Sequence, residues 1–198
     1  MLQDLVQQVE ETAKSVVNDI HTALPGRIES YDPETNLAVI QPIGRFMTPD
    51  NESLSYPKLI DVPLSFPYSQ KDDVGVSFPI HDGDFCLIII SEVELDQWRE
   101  NEKTDASLKF DLTSAMAIPG LILGGTKNTK KACSENAVII NSGKIEIAVK
   151  RDKVNVIGDV TINGDLIVTG TGTIGGIVMN THVHGGIYPG SASTSGPK

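Results

Sequence analysis

The run from Ala137 to Asn180 constrains this chain most. Its apolar residues recur at every second position in short bursts: Ile145, Ile147 and Val149, then Val154 and Val156, then Val160 and Ile162, then Leu166 and Val168. A two-residue period is that of strands with one buried face. Ile, Val and Thr dominate, which suits a pleated, half-buried surface. Between the bursts stand Asn141-Ser142-Gly143, Gly158-Asp159 and Asn163-Gly164-Asp165, which let the chain turn. Strands of about four residues at roughly eight-residue intervals follow.

Strands this short cannot make a core alone. One chain offers a thin apolar stripe, and its strand edges lack partners. The strands can fold back as a small meander. They can stack as a single-chain solenoid, for which about forty residues give too few coils. Or three copies can wind about a common axis with each stripe inward and each edge paired to a neighbour, which removes the edges under C3 symmetry. The pattern leaves the meander and the trimer level.

Downstream stands Thr181-His182-Val183-His184-Gly185-Gly186. On a strand, residues two apart face the same side, so His182 and His184 would point together toward the axis that the stripe faces. Such a pair taken alone is more often a surface pair. Three chains would gather six imidazoles around one point, a set that suits an octahedral ion. Structural zinc prefers four ligands, and imidazole also serves iron and nickel. Iron is therefore the expected metal, bound by His182 and His184.

A strand-rich C-terminus ending in T-H-x-H-G-G, then a tail of small residues from Ile187 to Lys198, resembles the central spike proteins of contractile-tailed phages. The resemblance implies a triple-stranded β-helix built by a homotrimer. It also implies one iron ion per trimer, held by His182 and His184 of each chain, and a tail that folds back around the apex. Crowding where three chains converge would explain the Gly and Ser of the tail.

The resemblance extends to the N-terminal half. Pro79-Ile80-His81-Asp82-Gly83-Asp84 before the apolar Phe85-Cys86-Leu87-Ile88-Ile89-Ile90, a short helix, and Ala115-Met116-Ala117-Ile118-Pro119-Gly120 look like the OB-like domain that precedes the needle in that family. Five or six short strands in this span suit a Greek-key barrel of OB type. The family role of that domain is attachment to the baseplate hub.

The expected fold is therefore mainly β: an N-terminal helix, an OB-fold barrel, then an intertwined triple-stranded β-helix needle formed by a homotrimer. The expected divisions are 1–24 (amphipathic helix), 25–122 (OB-like domain), 123–136 (linker), 137–180 (β-helix shaft) and 181–198 (metal-binding apex and tip). In the helix, Leu2, Leu5, Val6, Val9, Ala13, Val16, Val17 and Ile20 recur by threes and fours. Pro25-Gly26 is its expected stop, and His21 is expected on its surface. The helix either packs on its own domain or docks another chain. In the barrel, strands are expected at Arg27–Tyr31, Leu37–Pro42, Leu59–Phe66, Val74–Phe78 and Phe85–Ile90. A loop is expected over Asp50–Pro57, and a helical turn with Trp98 over Glu94–Asn101.

Charge narrows the partners. The net charge is −10. From Glu135 onward five acids balance five bases, so the excess lies wholly before that point. An acidic body disfavours nucleic acid, whose affinity comes largely from Lys and Arg. Two cysteines, Cys86 and Cys133, make no disulfide framework or metal motif. No apolar run reaches the ~18 residues of a membrane-spanning helix, and no signal-peptide core stands at the N-terminus. Synthesis and folding in a host cytoplasm are expected.

Other signals carry less. Gly170-Thr171-Gly172-Thr173-Ile174-Gly175 fits G-x-G-x-x-G, but a dinucleotide site needs a following helix and an acidic residue about twenty positions on. His81, Asp82, Asp84 and Cys86 lie close together, and turn chemistry around Gly83 explains them better than catalysis. No enzyme is expected. The functional expectation is a structural central spike at the tip of the virion baseplate that punctures the host outer membrane on tail contraction. It would touch that membrane transiently, bind a hub protein through the OB-like domain and plug the tail tube through that hub. The alternatives are an OB-fold binding module for oligonucleotide or oligosaccharide with a β appendage, and a two-histidine metalloenzyme, for which no carboxylate partner near His182 is apparent.

Overall fold

A computed structural model describes residues 2–18, 20–48, 52–99, 110–183 and 190. The chain divides into two compact units, residues 1–125 and 126–198.

The first unit begins with α1 (Leu2–Asn18), whose apolar stripe of Leu5, Val6, Val9, Val16 and Val17 is exposed. The helix ends at Asn18, short of the expected Leu24. Pro25 and Gly26 do not stop it; they lie inside β1 (Ala23–Asp32). His21 is therefore off the helix, half-buried and edge-on to Tyr56 with ring centroids 5.6 Å apart.

After β1 come β2 (Leu37–Pro42), the hairpin β3 (Arg45–Met47) and β4 (Ser53–Ser55), and β5 (Leu59–Pro63). Then follow the short pair β6 (Tyr68–Ser69) and β7 (Val74–Gly75), β8 (Phe85–Ile90), α2 (Leu95–Arg99) and β9 (Ala115–Pro119). The β3–β4 hairpin takes up part of the expected 50–57 loop. The strand expected over Val74–Phe78 shortens to two residues.

Five strands form one antiparallel sheet in the order β5-β2-β1-β8-β9. The sheet curls until its two edges meet: Leu64 bridges Ala117 in parallel, and the Ser65 N–H donates to the Ala117 carbonyl at 2.8 Å. A register shift between Ile28 and Ser30 gives β1 an extra residue, which bends it; β1 pairs with β2 over Gly26–Asp32 and with β8 over Ala23–Arg27. Alternate residues point inward, and Ile28, Ala38, Ile40, Val62, Cys86, Ile88 and Ala117 fill the half-barrel. Gly26 sits where a side chain would collide, since a Cβ there would stand 2.7 Å from both Ile40 and Ile88.

The second unit opens with α3 (Lys127–Glu135), within the segment expected to be a linker. Thr126 and Thr129 cap each other reciprocally at its start, and Asn136 in the left-handed region (φ 46°) ends it. Then come β10 (Val138–Ser142), β11 (Ile145–Val149) and β12 (Val154–Ile157), an antiparallel meander. The last elements are β13 (Thr173–Ile174) and β14 (Ile177–Val178), joined by Gly175-Gly176 with both φ positive.

The single chain thus forms a meander where an intertwined needle was expected. Its strands pair with their sequence neighbours, β10 with β11 and β11 with β12. Between β12 and β13 no strand stands among the described residues, although Val160, Ile162, Leu166 and Val168 keep the alternating pattern and are exposed. Among the described residues no helix is long and apolar enough to cross a membrane.

Candidate functional site

The meander has two unlike faces. Cross-strand pairing puts Val138, Val149 and Val154 in one row and Ile140, Ile147 and Val156 in the next, with Ile145 opposite Ser142. All seven aliphatic residues lie on the same face, and each is 38–62% exposed. Of the residues singled out as an inward stripe, Ile145, Ile147, Val149, Val154 and Val156 thus share a face, which is open in the single chain, while Val160, Ile162, Leu166 and Val168 lie in no strand.

The opposite face carries Ile139, Asn141, Glu146 and Ala148, and α3 packs over it. The Lys131 ammonium donates to Glu146 at 2.6 Å, Lys150 reaches Glu135 at 2.7 Å, and the Asn128 amide donates to Asn141. Ala148 is buried beneath this contact. Hydrogen bonding to Glu146 raises the Lys131 ammonium above its ordinary value, and bonding to Lys150 lowers the Glu135 carboxyl.

Farther along, the β13–β14 hairpin builds the approach to the first histidine. Its ladder continues where the Met179 N–H donates to the Gly172 carbonyl at 2.8 Å, while the Asn180 side chain accepts from the Gly172 N–H. The chain then turns back, and the Thr181 N–H donates to the Val178 carbonyl at 3.3 Å. This turn leaves His182 exposed with its Nδ1 2.9 Å from the Met179 carbonyl oxygen. A carbonyl can only accept, so His182 Nδ1 is the donor in this contact. Metal-binding histidines commonly hold their second nitrogen in this way.

His184 lies outside the described residues, as does most of the tail. Among the described residues no three His, Cys, Asp or Glu side chains gather into a metal cluster. His182 by its tautomer fits a metal-ligand role, and a complete set would need ligands beyond the described part of one chain.

The remaining motifs resolve locally. The G-x-G-x-x-G glycines run into the β13–β14 hairpin and its Gly175-Gly176 turn. His81 and Asp84 close a tight turn: the His81 N–H donates to the Asp84 carboxylate at 2.8 Å, the Asp84 N–H donates back to the His81 carbonyl, and Gly83 has φ 94°. Cys86 points into the barrel, and burial pushes its thiol up to about 11, so little reactive thiolate forms at neutral pH.

One feature of the first unit escaped sequence reasoning. A cleft of about 1360 Å³ opens beside the β1–β2 turn, between the 65–80 connection and α2. Its lining comes from distant stretches of chain, and only the clustering of aromatics around 66–78 could have hinted at it.

Residues 24–120, from the start of β1 through β9, match the family described as the phage protein Gp138 N-terminal domain. Residues 176–198, from the hairpin turn through both histidines to the end, match the GpV apex motif. No curated protein matches the chain. The two matches, at opposite ends of the sequence and in this order, place the chain among the central spike proteins of phage tails. Its N-terminal match coincides with the curled antiparallel sheet, and its C-terminal match is the apex motif of a phage spike.

Proposed function

We propose that three copies of this chain assemble into the membrane-piercing spike at the tip of a contractile-tail baseplate. The open aliphatic face of β10–β12 carries the proposal. Burying the exposed parts of seven aliphatic side chains is worth on the order of 5–10 kcal/mol per chain, and water gains nothing by wetting them. Three such faces brought together about an axis would form one core and would pair the meander edges. The exposed Val160, Ile162, Leu166 and Val168 extend the same stripe toward the apex, where intertwining with the other chains would supply the missing strand partners.

The strand order β5-β2-β1-β8-β9 with its parallel closure supports an OB-type barrel, in which the sheet edges join in that sense. It differs from the usual form in having the β6–β7 hairpin in the connection before the fourth barrel strand. This barrel would attach the spike to the baseplate hub and so help close the tail tube.

At the tip, His182 and His184 from each chain would hold one iron ion in an octahedral set of six nitrogens. The ion would cross-link three chain ends that otherwise fray, and it stabilises only the assembled state. The role is mechanical rather than catalytic: contraction supplies force, and a narrow needle concentrates it on the outer membrane. Oligomeric mass and elemental content measured on one preparation test the reading. A trimer with one iron per three chains is the expected result; a metal-free monomer would overturn it.

A further inference from the structure

The cleft of the first unit has the chemistry of a sugar site. It is framed by the β1–β2 turn, by the ends of β2 and β5 and by α2 in the β8–β9 connection. In OB-type barrels the same strands and loops form the ligand face. Three aromatic rings stand in it largely open to solvent: Trp98 is 58% exposed, Tyr68 50% and Phe78 45%. Large aromatics left open within one cleft mark a binding surface rather than a packing remnant.

Two of those rings, Phe78 and Tyr68, have fixed partners. Phe78 stands edge-on to Phe66 at 5.5 Å, and Phe66 packs against the core. The Tyr68 hydroxyl donates to Asp73. Beneath them the Asn36 amide donates to the Leu64 carbonyl at 2.8 Å and accepts from the Tyr31 hydroxyl at 3.1 Å, which fixes the β1–β2 turn to the end of β5. The walls are therefore preorganised, which lowers the ordering cost of binding.

The rest of the lining decides the ligand class. Gln70, Ser65 and Ser77 supply amide and hydroxyl groups, and Arg99 is the one charged side chain among the lining residues. A nucleic acid needs several Lys or Arg along its phosphates, and here the cleft has a single Arg on a chain of net charge −10. A volume above the roughly 300–1,000 Å³ of single small-molecule pockets suits a chain of rings. Sugar rings offer a flat C–H face to an aromatic plane and hydroxyls to amide and hydroxyl groups on the rim. We propose that this cleft binds a neutral oligosaccharide, a function distinct from the spike role and independent of it.

The chain contains one Trp, and it lies in the cleft, so the emission of Trp98 reports on this site alone. The full-length protein is titrated with maltohexaose, cellohexaose and chitohexaose, and in parallel with a dT12 oligonucleotide and a decaproline peptide. At least one neutral hexasaccharide is expected to give a saturable change in emission. Its calorimetric affinity is expected to fall at least tenfold in both Tyr68→Ala and Gln70→Ala, with each variant's unfolding midpoint checked for an intact barrel. A flat response to all three glycans overturns the proposal, as does saturation by the oligonucleotide or the proline peptide alone. An affinity unchanged in both folded variants overturns the site.

Discussion

Lys131 on α3 reaches Glu146 on β11 at 2.6 Å, and this contact decides which face of the meander is covered. Glu146 alternates with Ile145 and Ile147 along β11, so pinning the helix to the glutamate side leaves both isoleucines on the open side. A short polar helix thus commits the sheet to presenting its aliphatic face outward from the single chain.

Ile147→Lys follows from that asymmetry. Ile147 pairs with Ile140 on one side and Val156 on the other, at the middle of the open face. In the monomer a lysine there meets water and costs little. In an assembled needle it would bury an unpaired charge, which costs several kcal/mol. The expected outcome is a folded monomer by light scattering, against the trimer proposed for the parent protein. A variant that stays trimeric would show that this face is not the interface.

The ion pairs under α3 set a pH window. Glu135 has its carboxyl lowered from about 4.5 by Lys150, so its contribution is present at neutral pH and is lost as pH falls through the lowered value. Lys131 is raised from 10.5 by Glu146, so its contribution is complete below 10.5 and is lost as pH rises through the raised value. Both pairs are solvent-accessible, which keeps the effects small and salt-dependent. Amide exchange in α3 should be flat between about pH 5 and 10 once corrected for intrinsic rates, and protection should fall on either side. Lys131→Met should remove the alkaline loss and keep the acidic one.

Gly26→Ala tests the barrel. The residue is in β1 opposite Pro42 and Cys86, and its missing side chain is what allows Ile40 and Ile88 to meet over it. Both neighbours are fully buried, so neither can swing aside cheaply. Overpacking of this kind costs about 1–3 kcal/mol. Denaturant unfolding of the first unit should shift by that amount, with the secondary structure retained. An unchanged midpoint would mean that the core gives more freely than its packing implies.

Much of the barrel was legible because its signals are local. Strands β2 and β8 appear at their expected bounds, each an apolar run set off by turn residues, and α2 follows from the pattern around Trp98. Pro25-Gly26 misled because a glycine that ends helices also serves a strand where two side chains close over it. The cap of α3 was hidden because its N3 residue is Thr129 rather than Glu or Gln, and no apolar stripe marks the helix. The cleft was hinted at only by the aromatics around 66–78, since Tyr31, Phe78 and Trp98 come to line it together only through the curl of the sheet. The apex was readable as a motif, T-H-x-H-G-G, while the tautomer of His182 depended on a backbone turn that no motif records.

That tautomer makes the apex testable in two steps. With its Nδ1 facing the Met179 carbonyl, His182 would have to ligate the proposed ion through Nε2. His182→Ala with His184→Ala removes both imidazoles of each chain. The one iron per three chains proposed for the parent protein should then fall to background in elemental analysis. Residues 24–120 should keep their unfolding midpoint, because no part of that unit depends on the metal. Thermal unfolding of the assembled needle should begin at lower temperature, since an ion that binds only the assembled state stabilises it by mass action, about 2.7 kcal/mol at a hundredfold excess over Kd. His182→Gln separates ligation from bulk: it keeps a polar side chain of similar reach but no imidazole, and it should lose metal as the alanine does. Iron retained in the double variant would place the metal elsewhere and leave His182 as a surface residue.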